Sequence, residues 1–282
     1  MTRMEHTDTR SATRVEDVMT RGTISCAPTT PIPEVARLMA EHRIHAVFVL
    51  SSGSPLGVVS DVDLLAGEWL AKDADSLEVL RTTTAGQLMS APVETIGLED
   101  TVADATRRMS ELRIARLLVC DGAGRAAGVL AVTDLVRAAP LPAPHRRVVS
   151  DVMSHAFVTC RPDAPMSSAI RAMSERRSRS IVVIAQGQAV GVLTGGDVVQ
   201  AYATSQEAAG AVRDFMTSPV VTTTPGVSLA EAVDQMIKHE IHRLIVVDPE
   251  APGEPVGVIS TSDIVAEMAD ERSVWQRNAP LV

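Results

Sequence analysis

The sequence predicts an α+β protein built from four copies of one strand–helix–strand–strand–helix unit, arranged as two pairs. Three observations carry this reading. Met19, Met89, Met153 and Met216 close short openings ("VEDVM", "AGQLM", "VSDVM", "VRDFM"), and Met39, Met109, Met173 and Met236 each follow 20 positions later. A glycine and an aspartate recur 6 positions apart, as Gly57 and Asp63, Gly128 and Asp134, Gly191 and Asp197, and Gly257 and Asp263. Between the second and third copies lies "AAPLPAPHRR", a proline-rich stretch with the composition of a spacer.

Each element follows from local pattern. After the opening comes a short β-branched run such as "VVTTTP", the first strand. The next segment has helical periodicity. In "VSLAEAVDQMIKHE" the spacing puts Leu229, Val233, Met236 and Ile237 on one apolar face, and Ser228 with Glu231, like Thr101 with Asp104, has the spacing of a capping box. The middle strand reads "AVFVL", "RLLVC", "SIVVI" or "RLIVV", and a Gly- or Pro-bearing turn follows. Only the stretch from the second methionine to the glycine varies in length, as expected of a surface turn. The last strand then runs into a second helix through "GVVSDVDLL", "GVLAVTDLV", "GVLTGGDVV" and "GVISTSDIV". A unit of this size alone would bury only about 60% of its surface, which is the reason to expect pairing.

Composition narrows the functional classes. A chain with 45% apolar and 22% charged residues has a globular composition, and with 2% aromatics its core must be aliphatic and rich in Met. No apolar run is long enough to span a bilayer and the N-terminus lacks an apolar h-region, so a cytoplasmic protein without membrane association is expected. A net charge of -9 and scarce aromatics argue against nucleic acid as a partner. Cys26, Cys120 and Cys160 lack CxxC spacing and read as small buried hydrophobes, with no structural metal expected. No nucleophile–base–orienter set, HExxH or P-loop is present, so an enzyme is not expected.

Two constellations could carry chemistry. Ser60 with Asp63, Thr194 with Asp197 and Ser260 with Asp263 sit at strand-to-helix turns, where [ST]-x-x-[DE] is an ordinary helix start. The same turn offers free N–H groups, a hydroxyl and a carboxylate, which suit a phosphate and a ribose. Repeat two keeps Asp134 but has Ala131 in the hydroxyl position, so capping is an incomplete explanation of the pattern. The second constellation is a basic side chain entering every middle strand: His45, Arg116, Arg179, and the His242–Arg243 pair. Cations favour helix C-termini in any case, but two adjacent nitrogen donors beside an apolar strand suit an anion. "ERRSRS" around Arg176 and Arg177 reads as a solvated face, and Gly195–Gly196 as either close ligand approach or a loose helix start.

With these residues in hand, the sequence resembles the cystathionine β-synthase (CBS) domain family, as four repeats forming two Bateman modules with a disk as one way to close. Repeat four, "HRLIVVD" followed by "GVISTSDIV", is similar to the last repeat of AMP-activated protein kinase γ subunits. The resemblance implies clefts between paired repeats that hold AMP, ADP, ATP or S-adenosylmethionine. Aspartate would hold ribose, the hydroxyl and nearby basic residues phosphate, and backbone near the first strand adenine. Ser60, Asp63, Thr194, Asp197, Ser260 and Asp263 match the full motif, His242 and Arg243 match the kinase subunit's phosphate-binding pair, and His45 matches in part. The implied role is a stand-alone regulatory module that signals to a protein partner or through its own oligomer, such as a homodimer; the alternative is a ligand-free oligomerisation scaffold. The expected boundaries are an arm at 1–14, repeats at 15–70, 85–137, 148–203 and 211–268, a linker at 138–147 and a tail at 269–282. Trp69 and Trp275 are placed in or just after the helices that end repeats one and four, as core or as an oligomer contact.

Overall fold

The computed structural model describes residues 13–66, 82–139, 147–203 and 210–270. The proline-rich stretch at 140–146, Trp69, Trp275 and most of the expected arm and tail lie outside the described residues. Each repeat is the expected strand–helix–strand–strand–helix unit, preceded by a single helical turn. Repeat one holds α1 (Val15–Val18), β1 (Thr20–Arg21), β2 (Ser25–Cys26), α2 (Ile32–His42), β3 (Ala46–Ser51), β4 (Ser54–Ser60) and α3 (Asp61–Ala66). Repeat two holds α4 (Ala85–Leu88), β5 (Thr95–Gly97), α5 (Val102–Leu112), β6 (Arg116–Cys120), β7 (Ala126–Ala131) and α6 (Val132–Ala138). Repeat three opens on a 3-10 turn (Val149–Asp151) and continues as β8 (Val158–Cys160), α7 (Met166–Glu175), β9 (Ser180–Ala185), β10 (Gln188–Thr194) and α8 (Gly195–Ala203). Repeat four opens on a 3-10 turn (Val212–Asp214) and continues as β11 (Thr222–Thr223), α9 (Leu229–Lys238), β12 (Arg243–Val247), β13 (Pro255–Ser260) and α10 (Thr261–Ala269).

Within every repeat the strand ahead of the long helix (β2, β5, β8 or β11) runs parallel to the middle strand and the middle strand antiparallel to the last, while β1 of repeat one adds antiparallel to β7 of repeat two. All four hairpins carry an irregularity beside the recurring glycine. The length variation has its physical origin in the hairpin turn. Ser52–Gly53 and Gln186–Gly187 are two-residue turns with both φ values positive, whereas repeats two and four use longer loops that place Gly124 and Gly253 at positive φ.

The openings explain why the repeats pair. The Asp or Gln in each opening caps its own turn: Asp17, Gln87, Asp151 and Asp214 accept from the backbone N–H groups of Arg14, Thr84, Val148 and Ala211 at 2.9–3.1 Å. The first residue of each turn, Val15, Ala85, Val149 or Val212, is fully buried and donates its N–H to the loop ahead of the paired repeat's first long helix. The opening methionine lands on the paired repeat's recurring glycine. A Cβ built on Gly57 would lie 2.6 Å from Met89 Sδ, one on Gly191 2.5 Å from Met216 Sδ, and one on Gly257 2.8 Å from Met153 Sδ. Ala85 and Met89 thereby join the core of repeat one, and Val212 and Met216 that of repeat three. Repeats one and two pair in this way, as do three and four.

The two pairs then meet through their helices. α2 and α3 pack on α8, α3 also packs on α7, and α10 packs on α5 and α6. Repeats one with three and two with four thus complete a closed ring within one chain. Val199 of repeat three belongs to the core of repeat one, Leu65 of repeat one to that of repeat three, and a single core spans repeats two and four.

Three local expectations change. Met39, Met109, Met173 and Met236 are core residues as predicted, but Ile237 is 38% exposed; α9 buries Leu229, Ala232, Val233 and Met236 instead. That set centres the apolar stripe one position back, leaving Ile237 on its rim. Cys26, Cys120 and Cys160 are half-buried rather than buried, and burial pushes each thiol up. Thr13 and Arg14, assigned to the arm, pair with repeat two: Val102 donates to the Thr13 carbonyl at 3.0 Å. Arg176 and Arg177 are exposed, as a solvated face requires.

Candidate functional site

The strand-to-helix turns are built as capping boxes. The Ser60 N–H and hydroxyl donate to Asp63 Oδ2 at 2.7 and 2.6 Å, Thr194 does the same to Asp197 at 2.7 and 2.7 Å, and Ser260 to Asp263 at 2.8 and 2.6 Å. The hydroxyl hydrogens point at the acid, so a phosphate would have to compete for them. In repeat two the Ala131 N–H alone reaches Asp134, at 2.8 Å. Burial raises the Asp134 carboxyl, and it also raises that of Asp197 despite the Thr194 bonds.

The cations stand beside these turns because of strand register. Arg116 opposes Ala131 and Arg243 opposes Ser260. His45, Arg179 and His242 lie one residue earlier, where their carbonyls accept the first helical N–H, from Asp61, Gly195 and Thr261. Charge also couples acid and cation across each pair. Arg116 of repeat two feels the charge of Asp63 of repeat one, and Arg243 of repeat four feels Asp197 of repeat three as well as its own Asp263. The opening of the second partner adds a hydroxyl: Ser90 donates to Asp63 Oδ1 at 3.0 Å, and Thr217 bonds Asp197. Two equivalent polar clusters result, Ser60, Asp63 and Ser90 in the field of Arg116, and Thr194, Asp197 and Thr217 in the field of Arg243.

The basic side chains of all four repeats lie within one another's field near the ring centre. The His45 and His242 rings stand edge to face with centroids 5.3 Å apart. Burial pulls the Arg116 and Arg243 guanidinium groups down in pKa, with Asp61 opposing and Arg179 reinforcing that effect. His242 is open to solvent on one side yet walled by protein, and burial, then His45 and Arg243, pull it down to about 4. Such crowding of like charge is costly unless an anion offsets it. One resident anion is Asp61, whose Oδ2 lies 3.2 Å from His45 Nδ1. Gly195 and Gly196 allow close approach at this contact between repeats: a Cβ on Gly195 would lie 3.0 Å from Asp61 Oδ2 and one on Gly196 3.1 Å from His45 Cε1. Among the described residues no group of three or more His, Cys, Asp or Glu side chains could hold a metal ion, and no helix is long and apolar enough to cross a membrane.

The CBS domain family model matches residues 15–68, 85–141, 149–204 and 212–270, well over half of the chain. The chain belongs to the CBS domain family. Its four CBS repeats form two Bateman modules closed into a disk. The fold is that of the crystal structure of protein MJ1225 from Methanocaldococcus jannaschii, with a TM-score of 0.78 at 17% identity, covering 89% of this chain and 98% of that one. A 5'-AMP-activated protein kinase γ subunit from Saccharomyces cerevisiae is 26% identical over 128 residues, 40% of this chain and 36% of that protein. An uncharacterised protein from Methanopyrus kandleri is 28% identical over 127 residues, 45% of this chain and 62% of that protein. The chain therefore spans less than two thirds of the length of these two relatives.

Sequence reasoning missed three polar residues of these clusters, Ser90, Thr217 and Asp61. Ser90 and Thr217 follow the opening methionines, where all four repeats carry a hydroxyl (Thr20, Ser90, Ser154, Thr217); that regularity was a usable signal. Asp61 had none, because its importance arises only when the ring closes.

Proposed function

We propose that this protein is a regulatory sensor that binds an adenosyl ligand, AMP, ADP, ATP or S-adenosylmethionine, in clefts between paired CBS repeats. The observation that carries the reading is that an acid of one repeat, tied by a hydroxyl from its partner's opening, lies within the field of that partner's arginine: Asp63 with Ser90 and Arg116, and Asp197 with Thr217 and Arg243. A ribose-accepting carboxylate within the field of a phosphate-binding guanidinium suits the two polar ends of such a ligand. Asp63 and Asp197 are assigned to the sugar, Arg116, Arg243, His45, Arg179 and His242 to phosphate. Ser60, Thr194 and Ser260 act through the acids they orient, and Asp134 and Asp263 hold the equivalent places in repeats two and four, Asp263 within the field of Arg243. The yeast γ subunit relative supports a regulatory rather than catalytic role. A ligand that spans two repeats would shift their packing, and through it the surface offered to a protein partner.

A second reading has its own support. Asp63 and Asp197 already accept bonds from their caps and from the paired repeat's opening, so a ligand-free scaffold would satisfy them too. Thermal unfolding separates the two. A ligand at about 100 times its Kd should stabilise the chain by about 2.7 kcal/mol. Arg243→Gln should diminish that gain while leaving the unliganded chain close to wild-type stability. If none of the four ligands raises the unfolding temperature, the scaffold reading stands.

A further inference from the structure

The first helical position after the last strand is Val132, Gly195 and Thr261 in repeats two, three and four, but Asp61 in repeat one. The Asp61 side chain is only 15% exposed, with its carboxylate 3.2 Å from His45 and against the start of α8 at Gly195. Its neighbours are the cations assigned above to phosphate, and His45 in turn meets His242 of repeat four. We infer that Asp61 is a built-in anion that competes for the ring-centre cations and so sets the charge of the ligand this protein accepts, favouring adenosyl ligands with few negative charges over polyphosphates. The inference rests on the proposed adenosyl reading for its ligand class.

The physics is that of a shared counter-ion. Burying one carboxylate among several cations offsets their mutual repulsion and lets the ring close without a ligand. Burial alone would raise the Asp61 carboxyl, yet the His45 bond and the charges of His45, Arg116 and Arg179 hold it below the usual carboxylate range, so it stays ionised at neutral pH. Every phosphate charge brought to the centre then meets a fixed like charge. The penalty grows with ligand charge: absent for methylthioadenosine, modest for AMP and largest for ATP.

The test is calorimetric titration of the full chain and Asp61→Asn with ATP, AMP, methylthioadenosine and inorganic tripolyphosphate. Asp61→Asn should tighten ATP and tripolyphosphate by about tenfold or more, AMP by less, and leave methylthioadenosine unchanged. Asp61→Glu, which keeps the charge, should retain the wild-type ranking. An unchanged ratio of ATP to AMP affinity in Asp61→Asn overturns the inference while leaving the adenosyl reading intact. A uniform loss across all ligands, methylthioadenosine included, assigns Asp61 a purely structural role and also overturns it. If the wild type binds no adenosyl ligand, that reading falls, and tripolyphosphate binding still decides the role of Asp61: tightening in Asp61→Asn supports it, and equal or absent binding refutes it.

Discussion

Gly57, Gly128, Gly191 and Gly257 occupy one strand position, and each is covered by the opening methionine of the paired repeat. The sequence showed both residues as regularities. The contact itself was hidden because the partners lie in different repeats. Gly191→Ala should therefore cost about 1–3 kcal/mol, the usual result of adding a methylene where none fits, measured by urea unfolding. A wild-type midpoint would show that the methionine has room to move. His242 makes a prediction about pH. Its folded pKa of about 4, set first by burial and then by His45, Arg243, Arg116 and Arg137, lies below the unfolded value near 6.5. The unfolded chain thus takes up the proton more readily. The resulting stability is complete above pH 6.5 and lost as pH falls from there towards 4. In denaturation series at several pH values, His242→Gln should lose less stability across that window than the wild type.

The elements were legible wherever a local rule governs them. Ser228 accepts from the Glu231 N–H at 3.2 Å and Thr101 from the Asp104 N–H at 3.1 Å, as their spacing predicts. The openings were visible as motifs, yet their helical turns were not, since four residues are too few to show a period. Asp214→Ala should test the capping role given to the opening aspartate, costing about 1 kcal/mol by chemical denaturation. A second element-scale contact joins the start of repeat three to the last helix. Arg147 Nε and Nη2 reach the Glu267 carboxylate at 3.0 and 2.6 Å, and Glu267 is buried. Arg147→Ala should cost about 2–3 kcal/mol, less than for a fully buried pair because the arginine is partly open to water. No change in Tm would mean that water replaces the guanidinium without cost.

At the scale of the whole molecule, four repeats were legible from the recurring Met, Gly and Asp, and two pairs from the proline-rich spacer and the small size of one unit. The sequence could not say which helices close the ring, since an apolar face specifies burial but not its partner. Closure within one chain has a consequence for the halves. Residues 13–139 and 147–270 would each expose the helix faces that now bury Leu65, Val199 and the core shared by repeats two and four. Produced separately, they should associate into a one-to-one complex on sedimentation; stable, non-interacting monomers would contradict the packing described. The convergence of His45, Arg116, Arg179, His242 and Arg243 belongs to this scale too. Each was visible as a basic residue in its own repeat, whereas the coupling of His45, Arg116, Arg179 and Arg243 to Asp61, and of His242 to His45, is a product of the ring.

A crystal structure of the full chain grown with AMP decides whether acid and arginine form one ligand site. The phosphate should contact Arg243 or Arg116 and the ribose Asp197 or Asp63, with the ligand lying between paired repeats. AMP bound elsewhere, or empty clefts at saturating AMP, would contradict the adenosyl-sensor reading for this nucleotide.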